Sequence, residues 1–237
     1  MDARLRVLVH GATGRMGQAL LRLCAESPDR YDVVGAVSRR PSQRVIDGVP
    51  QFAAAELNGA PAFDVAIDFS LPDAFERILA LCVSRKAAFV SGTTGLSDAQ
   101  RQALDAAGQS IPLAWASNFS LGVAVLHELV ARAAQALPGW DCDIVEAHHA
   151  RKQDAPSGTA KTLGQSAEQG GATPRFTSIR AGDIVGEHTI QFTGMGERLE
   201  LVHRAGNRDI FARGALHAAS RLARREPGLY RVPDLLE

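Results

Sequence analysis

The sequence predicts an α/β protein: a Rossmann-like parallel-sheet domain joined to an α+β domain whose sheet is mixed or antiparallel. Three observations predict it. Over roughly the first half of the chain, short apolar runs rich in β-branched residues alternate with segments of helical periodicity, as in strands joined by crossover helices. The first of these runs leads directly into a glycine-rich turn, GATGRMG, and then a helix. Beyond Gly171, strand-like runs follow one another with no helix between them, which favours antiparallel or mixed pairing.

Leu5 to Val9 reads as a buried strand. In the turn that follows, Gly11 permits the tight reversal, Gly14 lets backbone approach a pyrophosphate, and Gly17 allows helix and strand to pack closely. The segment Gly11, Ala12, Thr13, Gly14, Arg15 and Met16 then leads into a helix whose N-terminus offers free N–H groups and a partial positive charge to an anion. The spacing is GxxGxxG rather than GxGxxG, so the flanking strand and helix carry the dinucleotide reading. The helix presents Met16, Leu20, Leu23 and Cys24 on one face and stops before Pro28. Asp32 to Val37 is a second strand, ending in Ser38-Arg39-Arg40-Pro41. No acid stands there to bond a ribose 2′-hydroxyl, and a guanidinium suits a 2′-phosphate. The expected cofactor is therefore NADPH, with NADH possible, and either Arg39 or Arg40 can make the contact.

Residues 41–62 are polar, rich in Ala, Gly and Pro, and read as a loop or weak element. Asp64 to Phe69 is a third strand, after which Ser70 caps a helix with Pro72 in its first turn. Ala88 to Ser91 is a fourth strand, ending in Gly92-Thr93-Thr94-Gly95; Ser97 or Asp98 caps the next helix, which ends near Gly108. Pro112 to Ala116 is a fifth, ending in Ser117-Asn118-Phe119-Ser120. The turns FSLP, SGTTG and ASNFS thus sit at the carboxyl ends of successive strands, where an open α/β sheet binds its ligand. Leu121 to Ala136 is a helix, Asp141 to His149 a strand, and Ser157 starts a helix to about Gln169. Phe176 to Arg180, Glu187 to Phe192 and Arg198 to His203 are strands, the last two joined at Gly194-Met195-Gly196. Asp209 to Arg225 is a final helix with Ile210, Ala215, Ala218 and Leu222 on one side. The expected division is residues 1–118 with 209–237 as a dinucleotide-binding domain and 119–208 as a second domain, with hinges near Asn118 to Ser120 and near Asn207.

A chain of 237 residues, 46% hydrophobic and 22% charged, is ordinary for a globular protein, and its formal net charge of zero gives no electrostatic footprint for nucleic acid. Its apolar runs fall short of the roughly 20 residues that span a bilayer. Met1 to Arg6 lack a secretory hydrophobic region, so a cytoplasmic, membrane-free protein is expected. Cys24, Cys82 and Cys142 have neither disulfide nor metal spacing and read as small buried hydrophobes.

The chemistry concentrates in Glu146 to Thr159, EAHHARKQDAPSGT. On a strand, His148 and His149 point to opposite faces. Lys152 follows in a loop, and Pro156 favours a helix start. Ser157, Gly158 and Thr159 then offer N–H groups and hydroxyls at a helix N-terminus, a cradle for carboxylate or phosphate. A cation, two imidazoles able to trade protons near neutral pH, and an anion cradle suit a small dianionic substrate. No third and fourth ligand stands at metal spacing from the histidine pair, so no metal is expected. His10, His127, His188, His203 and His217 lack such company and read as mostly structural, though His188 sits in the motif RAGDIVGEHT.

GATGRMG, SGTTG, ASNFS, EAHHARKQDAPSGTA and RAGDIVGEHT, in that order from Val7 to about Ala215, resemble the dihydrodipicolinate reductase family. The resemblance implies reduction of a cyclic unsaturated dicarboxylate with NADPH or NADH on the diaminopimelate route to lysine. It implies a homotetramer assembled through the second, substrate-binding domain. It makes His148 the general acid or base and Lys152 the proton donor, with His149, Ser157, Gly158 and Thr159 holding substrate. Gly11 to Met16 would bind pyrophosphate and ribose. Phe69, Gly92, Thr93, Thr94 and Ala116, Ser117, Asn118, Phe119 would line the rest of the cofactor site. GATGRMG alone equally fits another small-acid Rossmann reductase or an NADPH-binding redox sensor; the histidine pair, the lysine and the DAPSGT cradle separate the reductase from both.

Overall fold

The computed structural model describes residues 3–41 and 43–236. The chain begins β1 (Leu5–His10), α1 (Arg15–Ala25), β2 (Tyr31–Ser38), β3 (Val45–Ile46), β4 (Val49–Ala53) and a 3-10 helix (Ala54–Gly59). It continues β5 (Val65–Asp68), α2 (Pro72–Arg85), β6 (Ala88–Ser91), α3 (Asp98–Gly108) and β7 (Pro112–Trp115). Then come α4 (Leu121–Ala136), β8 (Asp141–His148), α5 (Gly158–Gln169), β9 (Pro174–Arg180), β10 (Glu187–Thr193) and β11 (Arg198–Arg204). It closes with α6 (Asp209–Leu222), β12 (Gly228–Tyr230) and a 3-10 turn (Pro233–Leu235). Two compact units result, Met1–Phe119 with Phe211–Glu237, and Ser120–Ile210.

The first unit is an eight-stranded sheet in the order β12-β7-β6-β5-β1-β2-β4-β3, parallel throughout except for the β3–β4 pair. This is the Rossmann-like sheet that the strand–helix alternation predicts. Val7 to Val9, Val65 to Ile67 and Phe89 to Val90 are fully buried, as continuous apolar strands in a parallel sheet must be. α2 and α3 bring Phe75, Ile78, Leu79, Cys82 and Leu104 against Leu8, Phe89 and Leu113. α6 returns to this unit, where the Tyr31 hydroxyl lies 3.3 Å from Ser220 Oγ. All three cysteines are free and buried. Strand order reverses at β1, flanked by β2 and β5, so a crevice opens beyond the carboxyl ends of these strands.

At three places the structure goes beyond the sequence reading or corrects it. Of the two expectations for residues 41–62, a loop or a weak element, the structure has short elements: β4 pairs in parallel with β2, Leu57 is buried, and Phe52 packs on the core. The elements are so short, and Val49, Phe52 and Leu57 so separated by Pro, Gln, Ala and Glu, that no period is visible. Ser70 does not cap α2; Leu71 occupies the cap in extended conformation, and the Ser70 N–H is spent on Asp68 and Thr93. β12, three residues at the sheet edge beside β7, is too short to show periodicity. Ser97 does cap α3, its hydroxyl accepting the Gln100 N–H while Gln100 Oε1 accepts that of Ser97.

The second unit is a mixed sheet in the order β11-β10-β8-β9, with β8–β9 parallel and the other pairs antiparallel. α4 and α5 cover one face, packing Leu126, Val130, Ala160 and Leu163 on Cys142, Ile144, Ile190 and Phe192. Period-2 alternation places Cys142, Ile144, Glu146 and His148 on this same face of β8. The first two complete the apolar core and the last two lie beyond it. Among the described residues no helix is long and apolar enough to cross a membrane.

Candidate active site

In the first unit the crevice holds a cavity of about 600 Å³, lined at the end of β1 by His10, Gly11, Thr13 and Gly14. Ser38 and Arg39 line it at the end of β2, and Phe69, Ser70 and Leu71 after β5. Gly11 has φ +80°, and a Cβ there would overlap the Phe69 carbonyl, so glycine is required both by conformation and by space. The N–H groups of Gly11 and Ala12 both donate to the Val37 carbonyl at 3.0 Å, pinning the turn to β2. α1 starts after Gly14 with no side-chain cap, leaving its first turn open to an anion. These features fit a dinucleotide pyrophosphate.

The neighbouring turns are tied together beneath this cavity. Asp68, at 0% exposure, accepts hydrogen bonds from the hydroxyls of Ser91 and Thr93 at 2.8 Å and from the Ser70 N–H at 3.1 Å, and lies 2.7 Å from His10 Nδ1. Burial pushes its pKa up, but these partners, His10 foremost, outweigh it and hold the carboxyl below the usual range. The Phe69 ring occupies the space a side chain at Gly92 would need and meets Phe119 edge-on at 5.9 Å.

In the second unit Glu146 is the centre. At 0% exposure its carboxylate takes two Arg180 hydrogen bonds, at 2.9 and 2.7 Å. Its Oε2 also lies 2.6 Å from His148 Nδ1, and its Oε1 accepts the Ser157 N–H at 3.2 Å. Burial raises its pKa, yet Arg180, Ser178, His148 and Ser157 together bring it down to about 2. Because this carboxylate is ionised, His148 Nδ1 must be the donor, so proton exchange at that ring is confined to Nε2. Gly186 keeps Nε2 clear: a Cβ there would stand 3.0 Å from it. Ser157 caps α5 by accepting the Ala160 N–H at 3.1 Å, and its Oγ lies 3.2 Å from His188 Nε2. Burial foremost, aided by His148, lowers the His188 pKa to about 4, so its neutral ring can accept that hydroxyl. His188 sits edge-on to His148, ring centroids 5.3 Å apart.

Of the residues singled out in sequence, His148 and Ser157 are joined through opposite oxygens of one carboxylate. Gly158 starts α5 exposed, with nothing within 4 Å of a Cβ, and Thr159 follows. Lys152 lies in the loop, its Nζ 2.7 Å from Asp154, whose pKa falls chiefly through that hydrogen bond. His149 follows the end of β8 with Nδ1 buried and unbonded. Burial first, then the charges of Arg151 and Arg208, lower its pKa. Gly11, Thr13, Gly14, Arg39 and Phe69 line the first unit's cavity; Ala12, Arg15, Met16, Arg40, Gly92, Thr93, Thr94 and Ala116 to Phe119 do not. Arg39 lies 4.0 Å from Asp73, with both side chains exposed.

Two profiles of known families match the chain, the dihydrodipicolinate reductase N-terminus over residues 5–119 and the C-terminus over residues 122–236. The chain belongs to the dihydrodipicolinate reductase family. It is 72% identical to a 4-hydroxy-tetrahydrodipicolinate reductase of Stenotrophomonas maltophilia (strain R551-3) over 234 residues, 98% of each chain. It is 71% identical to the protein of that name from Xanthomonas campestris pv. campestris (strain B100) over 233 residues, again 98% of each. A dipicolinate-bound dihydrodipicolinate reductase from Paenisporosarcina sp. TG-14 shares the fold with a TM-score of 0.85, at 22% identity, over 99% of this chain and 100% of that one.

Within this reductase-family chain, sequence reasoning passed over the groups that hold the site. Glu146 lay inside the motif but received no role, and Arg180 and His188 lay one strand away on either side. The register supplies what was missing: His148 pairs with Arg180, and Glu146 with His188, all on the helix-covered face. The signal was the two-residue step from Glu146 to His148 on a strand.

Glu146 links the site to stability. Its folded pKa lies below its ordinary value of 4.5, so its stabilisation is complete above pH 4.5 and is lost as pH falls toward about 2. Thermal melts of wild type and Glu146→Gln across that range should show the Tm gap shrinking as pH drops; a gap independent of pH would mean the carboxylate is not ionised in the fold.

Proposed function

We propose that this chain is a 4-hydroxy-tetrahydrodipicolinate reductase, reducing a cyclic unsaturated dicarboxylate to tetrahydrodipicolinate for lysine synthesis by the diaminopimelate route, with NADPH preferred. The observation that carries the reading is the shared Glu146 carboxylate, which aims His148 and anchors the α5 N-terminus as one construction. The nicotinamide cofactor, when bound, supplies the hydride. Its pyrophosphate and ribose are assigned to Gly11, Ala12, Thr13, Gly14, Arg15 and Met16. Its nicotinamide half is assigned to Phe69, Gly92, Thr93, Thr94, Ala116, Ser117, Asn118 and Phe119.

The residues of the second unit bind the acid and manage the proton. Gly158 and Thr159, at an α5 start braced by Ser157, cradle one carboxylate. His149, in a field made positive by Arg151, Arg208 and Lys152, meets the other. His148 holds or moves its proton at Nε2, and Lys152, within reach of solvent and held by Asp154, delivers the proton that completes reduction. Charge developing on the ring is met by these fixed cations rather than by reorienting water.

Two features support NADPH over NADH. Arg39 lines the cavity while Arg40 does not, so Arg39 is assigned the 2′-phosphate. Ser38, where an acid would serve NADH, is buried with no partner for its hydroxyl among the described residues. A homotetramer is supported by Ile179 and Val202, exposed on the sheet face opposite α4 and α5. The need for a soluble dinucleotide and a biosynthetic acid favours the cytoplasm.

The primary assay is NADPH oxidation dependent on freshly generated cyclic substrate; nucleotide binding without turnover would leave the redox-sensor reading standing. In that assay His148→Gln and Lys152→Ala should each lower kcat on the order of 100-fold or more with little change in NADPH affinity. Lost affinity with intact turnover would reverse the assignment. For the cofactor, the Arg39→Ala, Arg40→Ala double variant should lose its NADPH/NADH advantage in kcat/KM, and an unchanged ratio would remove the arginines from the 2′-phosphate site.

A further inference from the structure

The cofactor crevice contains one buried group that the reading above leaves without a role. His10 ends β1 immediately before Gly11, is only 3% exposed, and yet lines the cavity. A strand end at this depth is ordinarily apolar, because a buried polar group costs free energy unless it is hydrogen-bonded. Half of His10 meets that condition: Nδ1 lies 2.7 Å from Asp68 Oδ1. The other half does not. Nε2 has no partner among the described residues, and it is not among the atoms sealed from solvent. It opens on the cavity.

The imidazole is not the only donor that Asp68 has. Ser91 and Thr93 already donate to its Oδ2, and the Ser70 N–H to its Oδ1. The arrangement instead orients the ring. In the neutral imidazole, an ionised carboxylate at Nδ1 selects the tautomer with the proton on Nδ1, which leaves Nε2 as a hydrogen-bond acceptor. The same carboxylate ties the ends of β1, β5 and β6 together through His10, Ser70, Ser91 and Thr93, so the ring has little freedom to turn away.

We propose that His10 is a cofactor-binding residue: held at Nδ1 by Asp68, it presents Nε2 as an acceptor to a ribose hydroxyl of the dinucleotide, at the switch point of the sheet. This rests on the dinucleotide reading of the crevice. The pyrophosphate offers only acceptors and is matched by the N–H groups of α1; the adjoining ribose hydroxyls are the donors in this part of the ligand, and Nε2 is the acceptor that complements them. Asp68 is the positioning residue behind it.

The test separates the orienting bond from the proposed contact. His10→Asn keeps an amide donor where Nδ1 stands and so retains the Asp68 bond, but it has nothing in place of Nε2. Fluorescence titration should show NADPH binding weakened about 3- to 10-fold, the loss of one hydrogen bond. In turnover the loss should fall on KM for NADPH rather than on kcat. Unchanged NADPH affinity in a folded His10→Asn protein overturns the proposal. A second measurement does not depend on that variant folding: in wild type labelled with 15N-histidine, one unprotonated Nε2 resonance should move on addition of NADP+, and a full set of histidine signals left in place overturns it equally. Wild type that fails to bind NADPH at all contradicts the dinucleotide reading itself; wild type that binds it with His10 indifferent contradicts only this inference.

Discussion

A carboxylate buried at 0% exposure cannot remain charged unless it is surrounded by donors, and Glu146 is surrounded on every side. Arg180 reaches it from β9, His148 from two residues along β8, and the Ser157 N–H from the start of α5. Each of these groups is also part of the chemistry or of its frame. Removing the carboxylate would therefore strand a half-buried guanidinium, release an imidazole from its tautomer, and free the loop that leads into α5. The cost of burying one charge is offset by fixing three elements at once, which is the preorganisation a proton-transfer site requires.

The first unit uses the same device. Asp68 is likewise fully buried at a strand end, and likewise gathers donors from neighbouring strands and turns. In each unit the apolar part of a strand builds the core and the last three residues or fewer carry the buried acid. Val65 to Ile67 precede Asp68, and Cys142 and Ile144 precede Glu146. Function therefore begins where the core ends, and the rigidity of the core is passed to the site through hydrogen bonds rather than through loops.

Much of this was legible in sequence, for reasons that differ by element. The parallel sheet announced itself because strands buried on both faces read as continuous apolar runs, and crossover helices have to fill the gaps between them. GATGRMG was legible because its glycines are demanded by backbone geometry. The α5 cradle was legible because Pro156 and Ser157 have positional meaning at a helix start. The holding groups were not. Arg180 and His188 lie 34 and 42 residues from Glu146, and His10 lies 58 from Asp68; strand register, not sequence proximity, brings them together. The segment from Val45 to Gly59 reads only as a loop or weak element because its elements are shorter than any period they could display.

If the Glu146 carboxylate sets the His148 imidazole for proton transfer, Glu146 and His148 must be energetically coupled in turnover. A double-mutant cycle on kcat with Glu146→Gln and His148→Gln measures this directly. The account predicts strong non-additivity, the double variant being slower than His148→Gln by no more than about twofold, since Glu146 acts on turnover through the imidazole. Losses that multiply, as for two independent sites, would contradict it.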